Sequence, residues 1–365
     1  MTVAAIGADA IARLTRHVSE RDIPADEDLA SPAELARWLE TLGEPPLDLL
    51  IGGDVMLGGR AKHLLREHGG DYPFAAVRPL FERSAVVLAN LEGPVARDAV
   101  QQERRFSYRV APWTARALAA SGVRLVTLAN NHLMDCGREG VTETIALLEH
   151  AGVRAIGAGA DRAAAHAPAI IDAPGGTVGI LGYYWNRRCA ATDQLPGGAM
   201  DDDASLERDI TALRSRVDLV VVTSHWGVPY ERVPADAERA RARRAIELGA
   251  DAVVAHHPHV VQPLEIHRDR PIFYSVGNLA FGSGNSKAEG LLVGLRREHR
   301  RIVVEVYALY VKNRDPRVDY QPKVLRGQAA RRVLHKLGDV TEQWRRHLVA
   351  DGARMVLHFP RSRRS

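Results

Sequence analysis

Side chains that can bind metal ions or transfer protons follow five short apolar segments of this chain. The segments are 48–53, 84–89, 124–129, 218–224 and 251–255. The polar residues at their ends are Asp54, Asn90, Glu92, Asn130, Asn131, His132, His225, His256, His257 and His259. A single residue of this kind more often caps a helix or makes a turn. Five segments that all end this way indicate one shared site, because α/β sheets bind ligands at the carboxyl ends of their strands.

The types of side chain indicate which cofactor this site would bind. Imidazoles, carboxylates and an amide oxygen, with no thiolate among them, suit the divalent ions of Mn, Fe or Zn. The candidates outnumber the ligands of one tetrahedral ion, so we predict two divalent metal ions that share a carboxylate. Such a pair of ions lowers the pKa of a bound water and holds the oxygens of a displacement reaction. Hydrolysis is therefore the expected reaction.

The elements that must position these side chains alternate between strand and helix. Each apolar segment is typical of a β-strand and is usually followed by a helical pattern, as in α/β proteins. Helices are predicted at 73–83, 112–121, 138–151, 204–216 and 235–249. Beyond residue 260 the apolar runs are closely spaced and predict antiparallel strands that close the sheet. Residues 1–43 predict two short helices, and the second begins at Ser31 with Pro32 in the first helical position.

The composition is that of a soluble globular protein. Of 365 residues, 46% are hydrophobic and 26% are charged, which is close to the average for folded proteins. The net charge is +4, but residues 321–365 hold the basic excess and the rest of the chain has a net charge of −4. This distribution argues against a nucleic-acid-binding protein. Because no apolar run reaches the length of a membrane span or follows a basic leader, no integral membrane segment is predicted. The two cysteines, Cys136 and Cys189, are too few for a disulfide framework and favour the cytoplasm.

Six short motifs occur in a definite order along the chain. They are GGDVML (52–57), ANLEGP (89–94), LANNHLMDCG (128–137), SHWG (224–227), AHHPHVVQP (255–263) and YSVGN (274–278). Together they resemble the CapA/PgsA capsule-synthesis family, which is associated with poly-γ-glutamate. That family is a branch of the calcineurin-like metallophosphoesterase superfamily. The match of order and spacing extends from about residue 48 to 295. The resemblance implies an α/β fold in which two sheets form a β-sandwich flanked by helices, with the metals at the sheet ends.

The resemblance also implies roles for individual residues. Asp54 and His259 would bind the first metal ion, and Glu92 would bridge both ions. The second ion would be bound by Asn131, His225 and His257. His132 would face the substrate as general acid or as charge stabiliser for the leaving group, and Asp135 would fix the tautomer of its imidazole.

Three further residues of these motifs are expected either to order the site or to contact substrate. They are Asn90, His256 and Asn278. In an extended segment only alternate side chains point the same way, so we predict that His257 and His259 bind metal while His256 lies behind them.

The chain departs from the family pattern at two places. Met56 stands where ordinary phosphoesterases of the superfamily have a histidine, which leaves the first metal one imidazole short. Val228 and Pro229 follow the SHWG motif where CapA-like chains usually have a glutamate. The family's substrate preference therefore need not apply to this chain.

Three functions stay open from the sequence. The first is a dinuclear metal hydrolase that acts on a phosphate ester, either a small molecule or a polyanion. The second is amide or peptide-bond chemistry on a γ-glutamyl-like acidic substrate, and the third is a non-catalytic polyanion-binding accessory protein. The sequence predicts no particular oligomeric state.

Three regions are predicted along the chain. They are a helical amino-terminal extension (1–46), a metallophosphoesterase-like catalytic domain (47–312) and a basic carboxyl-terminal arm with a packed helix (313–365). The apolar stripe of that helix consists of Val333, Leu334, Leu337, Val340, Trp344 and Leu348.

Overall fold

Two β-sheets of the protein lie face to face, and helices cover the outer face of each sheet. The computed structural model describes residues 23–103, 106–282, 288–299, 301–338, 349–350 and 354–360. Within these residues the α/β sandwich flanked by helices, which the resemblance implied, is confirmed.

The described residues form the following regular elements. The strands are β1 (Leu49–Met56), β2 (Val87–Leu91), β3 (Leu125–Thr127), β4 (Arg154–Ile156), β5 (Ala158–Gly159), β6 (Ala169–Ala173), β7 (Gly176–Tyr184), β8 (Gly197–Gly198), β9 (Leu219–His225), β10 (Ala252–His256), β11 (Leu264–His267), β12 (Arg270–Phe273), β13 (Asn278–Phe281), β14 (Glu289–Arg297), β15 (Arg301–Tyr310), β16 (Lys323–Val324), β17 (Val349–Ala350) and β18 (Arg354–Pro360). The helices are α1 (Pro32–Leu42), α2 (Ala61–His68), α3 (Arg78–Glu82), α4 (Trp113–Ala120), α5 (Gly137–His150), α6 (Arg162–Ala165), α7 (Asp203–Arg214), α8 (Asp236–Glu247) and α9 (Gly327–His335).

Parallel strands form the middle of both sheets. The larger sheet has the order β17-β18-β15-β14-β1-β2-β3-β4, with β13 also paired to β1 and β16 to β15. Its strands β1 to β4 are parallel, and so is β13 beside β1. The smaller sheet has the order β11-β12-β10-β9-β7-β6, in which β12, β10, β9 and β7 are parallel. The carboxyl ends of these parallel strands lie along one edge of each sheet.

The main core fills the space between the two sheets. Leu49 and Ile51 of β1 belong to the same buried cluster as Val221 of β9 and Val254 of β10. Leu50 belongs to a second cluster, together with apolar residues of the helices that cover the larger sheet. Because both faces are covered, every residue of β1 and β9 is buried. This explains why the apolar segments show no polar alternation.

The predicted elements before residue 260 are largely observed. The five apolar segments form β1, β2, β3, β9 and β10, and four of the predicted helices form α4, α5, α7 and α8. The segment 73–83 contains a short 3-10 turn followed by α3.

The prediction of one antiparallel run beyond residue 260 is wrong in part. The hairpin β11–β12 joins the smaller sheet, whereas β14–β15 joins the larger sheet. In addition, β12 pairs in parallel with β10, and β13 pairs in parallel with β1. The chain crosses between the sheets after β12, and apolar spacing does not reveal which sheet receives a strand.

The amino-terminal helix α1 begins as its sequence predicts. The Ser31 hydroxyl accepts a hydrogen bond from the Glu34 amide at 3.3 Å, and the Glu34 carboxylate accepts one from the Ser31 amide at 2.9 Å. This reciprocal pair is a capping box. Gly43 ends the helix in the left-handed conformation, at φ 59°. The first of the two predicted helices lies in residues 1–22, outside the described part of the chain.

The carboxyl-terminal region contributes both a helix and a strand. In and just after α9, Val333, Leu334 and Leu337 are buried in the core between the sheets. The rest of the predicted stripe, Val340, Trp344 and Leu348, lies outside the described residues. Strand β18 then pairs antiparallel with β15, so this region completes the larger sheet. The boundaries of the three predicted regions stay predictions. Among the described helices, none has the length and apolar character that crossing a membrane requires.

Candidate metal centre

The predicted site residues converge where the carboxyl edges of the two sheets meet. In the larger sheet, Asp54 is in register with Asn90 on one side and with Asn278 on the other. In the smaller sheet, His225 is in register with His256. The segments that follow these strands add Glu92, Asn131, His132, His257 and His259.

Asp54, Glu92 and His259 form one group that could hold a metal ion. One ligand atom of each lies within 4.8 Å of the others. His259 Nδ1 is 3.0 Å from Asp54 Oδ2, and His259 Nε2 is 3.8 Å from Glu92 Oε1. All three side chains are buried. These are the residues that the resemblance assigns to the first ion.

Glu92, His225 and His257 form a second such group. His225 Nε2 lies 3.9 Å from Glu92 Oε1 and 2.7 Å from the side-chain oxygen of Asn131. The rings of His225 and His257 are 4.6 Å apart. Since Glu92 belongs to both groups, the geometry supports its predicted role as a bridge between two ions.

The buried polar atoms of this centre fit a bound cation. Both carboxylate oxygens of Glu92, both ring nitrogens of His256 and Nδ1 of His257 have no hydrogen-bond partner among the described residues. A buried polar atom left without a partner costs about 1–3 kcal/mol. Carboxylate oxygens and neutral imidazoles are also the donors that Mn, Fe and Zn prefer. The residues therefore fit the divalent ions expected from the sequence.

Burial and neighbouring charges shift the pKa values of all three side chains of the first group. Burial and the nearby Asp54 raise the pKa of Glu92 well above its ordinary value. Burial opposes the ionisation of Asp54, but His259 and His256 lower the Asp54 pKa overall. Burial also opposes a charge on His259, yet Glu92 and Asp54 raise the His259 pKa to about 9. His259 thus supplies positive charge beside Asp54 and Glu92.

The two imidazoles of the second group, His225 and His257, are held in the neutral form. Burial, followed by the surrounding histidines, lowers the pKa of His225 well below its ordinary value. Burial and the nearby His259 lower the pKa of His257 to about 4. Metal ions bind the neutral form of imidazole. These two histidines are therefore ready to bind metal at neutral pH.

His132 lies at the side of the centre and is held by Asp135. Its Nδ1 is 2.7 Å from Asp135 Oδ2, and its Nε2 is 3.7 Å from Glu92 Oε1. The same Asp135 oxygen accepts a hydrogen bond from the backbone N–H of Tyr108 at 2.7 Å. The Tyr108 ring is tilted against the imidazole, with 4.3 Å between the ring centres. The imidazole is thus fixed between a carboxylate and an aromatic ring, with Nε2 toward Glu92.

The three residues expected to order the site or contact substrate lie beside the candidate ligands. Asn90 donates a hydrogen bond to Asp54 Oδ1 at 2.8 Å. The side-chain oxygen of Asn278 is 2.9 Å from His259 Nδ1. His256 has no exposed surface, and its Nδ1 is 3.6 Å from Asp54 Oδ1. These contacts favour the ordering role, while contact with substrate stays a prediction.

The HHPH segment is not extended as the alternation argument assumed. His257 has φ 102° and His259 has φ 55°, so both adopt positive φ values that are rare for residues other than glycine. His257 and His259 are nevertheless the two histidines of this segment that belong to the groups that could hold a metal ion. A bend after β10, and not an extended strand, presents both imidazoles.

Sequence reasoning missed three aromatic residues that border the centre. The Phe281 ring lies 4.8 Å from the His259 ring, and the Tyr230 ring lies 6.1 Å from it. Burial and then the Glu92 carboxylate raise the pKa of Tyr108 to about 12, and the same two causes raise the pKa of Tyr230. The position of Tyr230 three residues after the SHWG motif was a signal that could have identified it.

Met56 occupies the position at which the sequence lacks an expected metal-binding histidine. Its sulfur contacts the main chain. The Gly58 amide donates to Met56 Sδ at 3.1 Å, and the Met56 side chain is buried. The missing imidazole is therefore replaced by an apolar side chain that packs beside the centre.

Comparisons with known proteins give relatives for most of the chain. Residues 48–283 match the family described as bacterial capsule synthesis protein PGA_cap. The chain is 29% identical to the capsule biosynthesis protein CapA of Bacillus anthracis over 74% of this chain and 69% of that protein. It is 30% identical to the PGA biosynthesis protein CapA of Bacillus subtilis (strain 168) over 67% of this chain and 66% of that protein. A probable polyglutamine synthesis accessory protein of Mycobacterium tuberculosis is 29% identical over 63% of this chain and 73% of that protein.

A solved structure also resembles the chain. It is the 5'-nucleotidase precursor of Thermus thermophilus, which aligns with a TM-score of 0.38 and 15% identity. The alignment covers 76% of this chain and 52% of the nucleotidase chain. The chain thus spans about half of that protein and about two thirds of the two Bacillus relatives.

The family match includes all six motifs and both groups of candidate metal ligands. It extends over residues 48–283, which is more than half of the chain. The resemblance drawn from the motifs is therefore confirmed, and this chain belongs to the bacterial capsule synthesis protein family PGA_cap.

Proposed function

We propose that this protein is a metal-dependent hydrolase that cleaves a phosphate ester with water. In this proposal Asp54, Glu92 and His259 hold one divalent ion. The second ion is held by Glu92, Asn131, His225 and His257. When bound, the two ions polarise the phosphoryl group and lower the pKa of the attacking water.

The position of His132 is the observation that carries this proposal. Its Nε2 lies 3.7 Å from the glutamate shared by both groups, and Asp135 holds its other ring nitrogen at 2.7 Å. Neither group of candidate ligands includes His132. A histidine that is held so close to a metal centre without belonging to it suits a proton-transfer step.

In the proposed reaction His132 acts as general acid. Its Nδ1–H donates to Asp135, which fixes the orientation of the ring. The Nε2 proton passes to the leaving-group oxygen as the P–O bond breaks, so the departing alcohol leaves neutral. Asn90 and Asn278 orient Asp54 and His259 through the hydrogen bonds described above.

The test is turnover of aryl phosphate esters by the full chain loaded with Mn²⁺. We expect hydrolysis that disappears when a chelator removes the metal and returns when Mn²⁺ is added back. Glu92→Gln is the matched control, because it keeps the shape of the side chain and removes the bridging charge. Protein that binds two ions and hydrolyses no aryl phosphate would contradict the proposal.

The names of the relatives favour a second candidate function. Two Bacillus relatives are named for capsule or PGA biosynthesis, and a mycobacterial one is named an accessory protein. The same centre could polarise the carbonyl of a γ-glutamyl amide, with His132 protonating the leaving amine, or could bind a polyanion without catalysis. Release of nitroaniline from γ-glutamyl-p-nitroanilide would identify the first of these. Polyglutamate binding by a protein that cleaves neither substrate would identify the accessory role.

A cytoplasmic location belongs to the same proposal. The sequence contains two cysteines in 365 residues, which supports a reducing compartment. Fractionation of cells, with the chain followed in the cytoplasmic, membrane and secreted fractions, would test it.

A further inference from the structure

Two half-buried tyrosines lie at the ends of an arc of rings around the candidate metal centre. The Tyr108 ring is 6.1 Å from the Phe281 ring, which is 4.8 Å from the His259 ring. The Tyr230 ring follows at 6.1 Å from His259. Tyr108 also packs against His132, at 4.3 Å. The arc therefore contacts the proposed acid at one end and includes a candidate metal ligand.

Tyr108 is fixed to the same group as the proposed acid. Its backbone N–H donates to Asp135 Oδ2 at 2.7 Å, and this oxygen also lies 2.7 Å from His132 Nδ1. One carboxylate oxygen thus holds both the tyrosine and the histidine. A shift of either residue would disturb the other.

Tyr230 is fixed to the turn that carries two candidate ligands. Its backbone N–H donates to the Pro258 carbonyl oxygen at 2.7 Å, and Pro258 lies between His257 and His259. The main-chain carbonyl oxygen of the next residue, Glu231, accepts a hydrogen bond from the Gln262 side chain at 3.0 Å. Two hydrogen bonds therefore attach the loop of Tyr230 to the segment 258–262.

The backbone of Tyr230 is also strained. It has φ 70°, a left-handed conformation that is unusual for an aromatic residue. Strain of this kind persists where the surrounding structure imposes it, and it concentrates at functional sites. The loop therefore places the Tyr230 ring beside the centre at an energetic cost.

We propose that the hydroxyl groups of Tyr108 and Tyr230 bind non-bridging oxygens of the phosphoryl group, which stay on phosphorus when the ester bond breaks. This inference rests on the proposed function and deepens it, because it names an anionic tetrahedral group as the part of the substrate that is recognised. A phenol is a hydrogen-bond donor at neutral pH. Phe281, between the two tyrosines, supplies an apolar surface, and hydrogen bonds to a charged group are stronger where water is excluded.

The experiment measures binding of inorganic phosphate to the Mn²⁺-loaded full chain by calorimetry, without turnover. Tyr108→Phe and Tyr230→Phe remove one hydroxyl each and keep the ring that packs against the histidines. We expect each variant to bind phosphate roughly 10–100-fold more weakly, the usual loss for one hydrogen bond to a charged group. Tyr72→Phe is the matched control, because Tyr72 is half-buried, donates to the Asp319 carbonyl oxygen at 3.1 Å and should leave phosphate binding unchanged.

Each other outcome overturns the proposal in a distinguishable way. Wild-type binding of phosphate that both variants retain would refute the tyrosine contacts and leave the proposed hydrolase intact. Loss of manganese from the tyrosine variants would show that the hydroxyl groups support the metal ligands instead of the substrate. A metal-loaded wild type that binds no phosphate would overturn the proposed function, and the tyrosine contacts with it.

Discussion

Two buried glutamates of this protein have opposite surroundings. Glu92 and Glu305 both have no exposed surface. Three arginines bind Glu305: Arg83 at 2.7 Å, Arg296 at 2.9 Å and Arg354 at 2.6 Å. Around Glu92 the basic groups are imidazoles at 3.7–3.9 Å. Burial alone would raise the pKa of Glu305, but the arginines lower it to about 2, whereas the pKa of Glu92 is raised well above its ordinary value.

The difference distinguishes the cluster around Glu305, which supports the fold, from the cluster around Glu92, which we propose binds metal. Glu305 lies on β15, and its arginines come from β14, from β18 and from the segment after α3. This cluster therefore contains its own cations and is complete once the chain has folded. Among the described residues no arginine or lysine pairs with Glu92, and under the proposed function a metal ion supplies the further positive charge there. Buried charges without partners are unfavourable for stability, and proteins keep them where function requires them.

The largest expected effect comes from the shared carboxylate. Glu92→Gln should remove both metal ions together with turnover, because one side chain serves both groups. The free energy of unfolding of the metal-free protein should change by less than about 1 kcal/mol, since no strong ion pair is lost. Metal analysis by mass spectrometry and denaturant unfolding would measure both effects. Full occupancy of even one ion in this variant would rule out the bridging role.

A comparison of two histidine–carboxylate pairs sharpens the assignment of the acid. His132 with Asp135 borders the centre, whereas His166 lies 2.8 Å from Asp209 and is similarly buried. His132→Asn should keep its metal and lose about 10²–10⁴-fold in turnover, with smaller losses for better leaving groups. His166→Asn should keep turnover and lose about 1–3 kcal/mol of stability. Equal loss of turnover for good and poor leaving groups would contradict the general-acid role.

At the cluster of Glu305 with Arg83, Arg296 and Arg354, here called the arginine cluster, we expect a loss of stability without a loss of metal. Glu305→Gln should destabilise the fold by about 3–5 kcal/mol, because three buried arginines lose their fully buried counter-charge and keep only Glu44, which is more exposed. Its metal content should stay at the wild-type value. Glu298→Gln is the control, since Glu298 pairs with Arg296 nearer the surface and such pairs contribute about 0–1 kcal/mol. Metal loss in the Glu305 variant would show that the two clusters are coupled.

The pH dependence of the arginine cluster has a definite sign. Because the pKa of Glu305 is lowered to about 2 in the folded state, its stabilising effect is complete above its unfolded-state pKa of about 4.3. The effect should be lost as the pH falls from about 4 toward 2. Acid unfolding of wild type and Glu305→Gln, compared at the same salt concentration, would show the difference shrinking over this range.

An apolar reference for these effects lies after α9. Leu337 has no exposed surface and packs in the core between the sheets. Leu337→Ala should cost about 2–5 kcal/mol, the usual range for a core leucine. Arg331→Gln on the exposed side should change stability by no more than about 0.5 kcal/mol. Equal melting temperatures of Leu337→Ala and wild type would contradict the packing of this region.

The smallest effect is the release of protons when metal binds. His259 has a pKa of about 9, so it is protonated at pH 7 and must lose a proton to bind an ion. Protons from His259 and from Glu92, whose pKa is also raised, should appear in solution at pH 7, and the release should shrink as the pH rises past about 9. Calorimetry in buffers of different ionisation enthalpy would count these protons. Metal affinity that does not rise with pH between 7 and 9 would contradict this assignment.

The sequence by itself determined the local elements and the set of candidate ligands. The capping box of Ser31 and Glu34 marks the start of α1, because a cap acts within four residues. The apolar segments became the predicted strands, since both faces of each are covered. Asp54, Glu92 and His225 each stand at or just after a parallel strand. Their positions at the ends of parallel strands were therefore enough to predict that they lie at a common edge.

The tertiary structure alone decided which distant segments meet. The Glu305 cluster joins residues from the beginning and the end of the chain, as in the contact between Glu44 and Arg354 at 2.8 Å. No local pattern of polarity distinguishes those arginines from exposed ones. The same holds for Tyr108 and Tyr230, whose loops are placed by hydrogen bonds to Asp135 and Pro258. Such contacts depend on burial and charge that arise only after the sheets have packed. They therefore cannot be predicted from a short stretch of sequence.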